Sequence, residues 1–86
     1  MSLSLLIVTP QKSFGEHIAQ SIQEKHPARV IIVDSQLEAL FTLGEEYITH
    51  AFLDMDLDES IPDLGLALRQ TRPDLPLIII SAQQIG

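Results

Sequence analysis

The sequence predicts an α/β fold, an open and doubly wound parallel sheet, on three observations. Four compact apolar runs recur along the 86 residues: LLIV at 5–8, VIIV at 30–33, AFL at 51–53 and LIII at 77–80. They are continuous rather than alternating, which is how strands read when helices cover both faces of a parallel sheet. The segments between them carry apolar residues at helical spacing, and the connections are short, so the order is β-α-β-α-β-α-β with right-handed crossovers.

Each element has its own local signals. After the first run, Phe14, Ile18 and Ile22 recur every four residues, with Ser13 and Glu16 as the expected capping pair and Pro27 beyond the end. After the second, Leu37 and Phe41 with Leu40 beside them form the expected inner face, opened by Ser35 and Glu38. After the third, Ile61, Leu64 and Leu68 follow Ser60 and Asp63, with Pro62 in a first turn where its missing N–H is not needed and Pro73 past the end. Nothing in residues 1–86 marks a linker or an internal repeat, so one domain is expected.

Composition narrows the function. A net charge of −7 with only five Lys and Arg speaks against nucleic acid and against an anionic membrane surface. The absence of cysteine removes disulfides, thiol nucleophiles and thiolate metal sites. The N-terminal apolar run has no basic flank and is too short for a signal peptide or a membrane span, so a cytoplasmic setting is expected. His17, His26 and His50 fall on three different elements without ligand spacing.

Sites in such sheets form at the carboxyl ends of the strands. Those ends are Thr9 and Pro10, Asp34 and Ser35, Asp54, and Ser81. An acidic cluster surrounds the third: Asp54, Asp56, Asp58, Glu59 and Asp63. It is not an EF-hand, because the sixth loop position is Glu59 instead of Gly, the twelfth is Gly65 instead of Glu, and a strand precedes the loop.

Asp54 after AFL, Ser81-Ala82 after LIII and the approach RPDLPLIIISA at 72–82 resemble the receiver domain of two-component response regulators. The resemblance covers essentially the whole chain and implies a flavodoxin-like sheet of order 2-1-3-4, with the usual fifth strand absent. It implies that Asp54 holds the phosphoacceptor position and Ser81 the switch position. The family's acidic, Mg²⁺-binding pair falls on Thr9 and Pro10, neither of which is a carboxylate. The Met-Pro and Asp-Gly pairs of the family are out of register in MDLDESIPDLG, and its phosphate-binding Lys lies on the missing fifth strand. Phosphoryl transfer concentrates negative charge that a metal and a cation must offset. The expectation is therefore a degenerate receiver, a pseudo-receiver: not an enzyme, without a cofactor, and part of a longer protein.

Two partner types follow. The apolar edge Leu77, Ile78, Ile79 and Ile80 is expected to form a homodimer interface, and an attached output domain is the other expected contact. The alternative is a working receiver phosphorylated on Asp54 by a histidine kinase, in which Asp54 and Asp56 hold Mg²⁺. A small-molecule-binding flavodoxin-like domain is a third class, without a phosphate loop to support it.

Overall fold

The structure, a computed structural model, describes residues 2–57 and 61–81. Among these residues four strands and three helices alternate: β1 (Leu3–Val8), α1 (Lys12–Gln23), β2 (Ala28–Val33), α2 (Gln36–Glu45), β3 (His50–Asp54), α3 (Ile61–Thr71) and β4 (Leu77–Ile80). The strands form one parallel sheet of order β2-β1-β3-β4, the flavodoxin-like arrangement. Strand order reverses between β1 and β3. Right-handed crossovers then set α1 on one face and α2 and α3 on the other, in agreement with α1 packing on β2 and α2 on α3.

The core follows from the apolar runs. Leu6, Val8, Leu53 and Ala51 from the two central strands pack with Ala39, Leu43, Leu64 and Leu68 from the helices, and with Ile48 and Leu75 from the loops. Two polar ties hold the sheet's entry side. Thr49 Oγ1 accepts from the Ser4 N–H and donates to the Ser4 carbonyl, both at 2.9 Å. Arg72 Nη1 donates to the Ile48 carbonyl at 3.1 Å while its guanidinium lies over the Tyr47 ring.

Three sequence expectations change. Helix α1 begins at Lys12, with Gln11 at the cap position and no side-chain cap, so Ser13 and Glu16 do not open it. The preceding turn is set from upstream: Thr9 Oγ1 accepts from the Gln11 N–H at 3.1 Å, and the Gln11 carbonyl takes the first helical bond from Gly15. Gly15 and Ala19 make the closest approach of α1 to the sheet, leaving Phe14, Ile18 and Ile22 half-buried. In α2 the inner face is Ala39, Thr42 and Leu43, with Leu40 half-buried; Leu37 and Phe41 point to solvent. The small Ala39 lets the helix settle on a different side from the one its four-residue spacing suggests. Ser35 does cap α2, accepting from the Glu38 N–H at 3.2 Å, while the Glu38 carboxylate reaches back to the Asp34 N–H instead of that of Ser35. Asp58, Glu59 and Ser60 lie outside the described residues.

Among the described residues, strand β4 is hydrogen-bonded to β3 on one side only, and Ile78 and Ile79 are exposed on its two faces. No helix among the described residues is long and apolar enough to cross a membrane.

Candidate functional site

One step beyond the last paired residues of β1 and β3, Val8 and Leu53, the chain places Thr9 beside Asp54. The two are 1% and 0% exposed, and Thr9 Oγ1 donates to Asp54 Oδ2 at 2.6 Å. The other carboxylate oxygen, Oδ1, accepts from the Asp56 N–H at 2.8 Å, and the Asp54 carbonyl accepts from the Leu57 N–H in the same turn. Asp54 is thus a buried acid with a protein donor on each oxygen, which is what a carboxylate needs to remain inside a fold.

The single proton of the Thr9 hydroxyl is committed to Asp54, while its lone pairs receive the Gln11 N–H. One side chain therefore both holds the acid and starts α1. Pro10, next in the chain, is exposed and has no N–H to contribute.

Across β3, Asp54 is in register with Ile80, and the Met55 N–H donates to the Ile80 carbonyl at 2.9 Å. Ser81, half-buried, comes directly after Ile80, so it sits on the same sheet edge as Asp54. Asp56 is half-buried, and its Oδ2 has no hydrogen-bond partner among the described residues. Asp63 is exposed in the first turn of α3.

A divalent ion such as Mg²⁺ does not fit this arrangement. It requires near-octahedral oxygen ligation, usually from carboxylates and water. Thr9 and Pro10 bring no carboxylate, and Asp54 is sealed from solvent with both oxygens engaged. Among the described residues no group of three or more His, Asp or Glu is gathered to hold a metal.

A shallow pocket of about 220 Å³ opens on the other side of Thr9, lined by Pro10 and Lys12 and by Val33, Asp34 and Glu38. It lies over β1 and β2, away from the β1–β3 reversal, and Asp54 does not line it.

The Thr9–Asp54 bond was the contact at this edge least visible in the sequence, since the partners are 45 residues apart. The available signal was that both end neighbouring strands, which requires the strand order to be known first.

No protein-family model and no curated protein matches the chain. Among solved structures, a fusion carrying amino acids 181–211 of the yeast Spc42 trimeric coiled coil superposes with a TM-score of 0.77 at 27% identity. The match covers 96% of this chain and 55% of that one, so this chain spans about half its length. A coiled-coil segment cannot superpose on an alternating β-α chain, so the likeness belongs to the fused remainder and concerns the α/β fold.

Proposed function

We propose that this chain is a receiver-like regulatory module of a cytoplasmic signalling protein that works by protein–protein contact and no longer runs a phosphorylation cycle. The observation that carries the reading is the sealed carboxylate. An acceptor must present an oxygen to an incoming phosphoryl group, whereas Asp54 is 0% exposed with one donor on Oδ2 and another on Oδ1. Where a working receiver needs an acid to recruit a metal, Thr9 supplies a neutral hydroxyl that satisfies Asp54 internally. Asp54 is then a structural acid joining β1 to β3, and Ser81 a strand-end residue without a phosphoryl group to bind.

The contacts proposed for the module are a second copy across the β4 edge, Leu77–Ile80, and an attached output domain. The exposed Ile78 and Ile79, on a strand that is bonded on one side among the described residues, support the first.

The test is NMR of the amides near Asp54 and Ser81 on addition of Mg²⁺ and beryllofluoride. The expected result is no shift. Shifts that disappear in Asp54→Asn would establish the alternative, a histidine-kinase-driven phosphoacceptor, and overturn this reading.

A further inference from the structure

We infer that the outer face of α2 is a docking site for an amphipathic helix bearing basic residues, a surface separate from both Asp54 and the β4 edge. Leu37 and Phe41 are 79% and 68% exposed, an unusual state for two large apolar side chains one turn apart. Gly44 continues their stripe one turn further, and nothing lies within 4 Å of where its side chain would begin. The stripe therefore runs about 11 Å along the helix and ends in a notch shallow enough for a partner's backbone to approach.

Charge selects the occupant. Glu38 and Glu45, seven residues apart, form a row along one border of this stripe, and α2 contains no Lys or Arg. Neither acid makes an ion pair among the described residues; the ion pairs there are Arg29–Glu46 and Arg72–Asp74. A helix with two apolar anchors flanked by Lys or Arg meets this face with opposite charges at the rim and apolar contact at the centre. A second copy fits worse. Antiparallel pairing of α2 with itself about Phe41 sets Leu37 against Glu45 and brings the two acidic rows together, where like charges repel.

The test uses the whole chain and a synthetic amphipathic helical peptide with Leu on one face bordered by Lys, and its Glu-for-Lys counterpart as control. The expected result is a set of amide shifts confined to residues 37–45, salt-sensitive and absent with the Glu peptide. Phe41→Ser is expected to weaken binding about tenfold or more, the loss typical of a central apolar anchor, with an unchanged melting temperature because the side chain is exposed. The double variant Glu38→Lys/Glu45→Lys is expected to exchange the preference, binding the Glu peptide. Shifts scattered over the other acidic surfaces, binding indifferent to Phe41→Ser, absence of binding, or concentration-dependent shifts at 37–45 without peptide would each overturn the inference, the last in favour of a second copy.

Discussion

Thr9 and Asp54 end adjacent parallel strands and share a buried 2.6 Å hydrogen bond from hydroxyl to carboxylate. Removing the donor strands an acidic oxygen away from water. Thr9→Val, which keeps the shape and deletes the hydroxyl, is expected to cost about 1–3 kcal/mol in urea unfolding. The pairing also predicts non-additivity: Thr9→Val together with Asp54→Leu should cost less than the sum of the single changes, as a double-mutant cycle would show.

The two α-helical glycines outside α3 should respond with opposite signs to the same substitution. A Cβ on Gly15 would lie 3.1 Å from both Ile32 Cγ2 and Thr9 Cγ2, and Thr9 is held in place by its bond to Asp54. Gly15→Ala is therefore expected to lose stability, with overpacking of about 1–3 kcal/mol exceeding the gain in helix propensity. Gly44 has open space, and Gly44→Ala is expected to gain up to about 1 kcal/mol. Thermal unfolding of the pair decides this; a gain at Gly15 would mean that the contact with Thr9 yields.

Serines at two apparent helix starts should also separate. Ser35 caps α2, so Ser35→Ala is expected to cost about 0.5–2 kcal/mol. Ser13 lies inside α1 and caps nothing there, and Ser13→Ala should be neutral or slightly stabilising in the same measurement.

Arg72 closes the far side of the sheet, donating to the Ile48 carbonyl and lying 5.4 Å from the Tyr47 ring centroid. Arg72→Ala is expected to cost about 2–3 kcal/mol, since a hydrogen bond from a charged group and a cation–π contact are lost together. Tyr47→Leu should remove only part of that, as urea midpoints of the two variants would show.

If the β4 edge joins two copies, Ile79→Lys should shift the sedimentation coefficient to that of a monomer. A charge on an edge strand blocks strand addition while leaving β3–β4 pairing intact. Wild-type chain that sediments as a monomer at every concentration would remove the edge from the proposal.

By itself the sequence determined the element order, the parallel sheet and the positions of the strand ends, because continuous apolar runs and helical spacing are local properties of the chain. It was sufficient to bring Thr9, Asp54 and Ser81 to one edge of the fold. The tertiary structure decided what happens at that edge. Whether Asp54 faces solvent or a neighbour depends on a residue 45 positions away, and periodicity carries no information about such a contact. It also decided the orientation of α2, which is apolar on two sides: Ala39 and Leu43 packed against the core, and Leu37 and Phe41 were left outside. Local spacing marks which residues share a helix face, but only the fit of that face against the sheet selects the side that is buried.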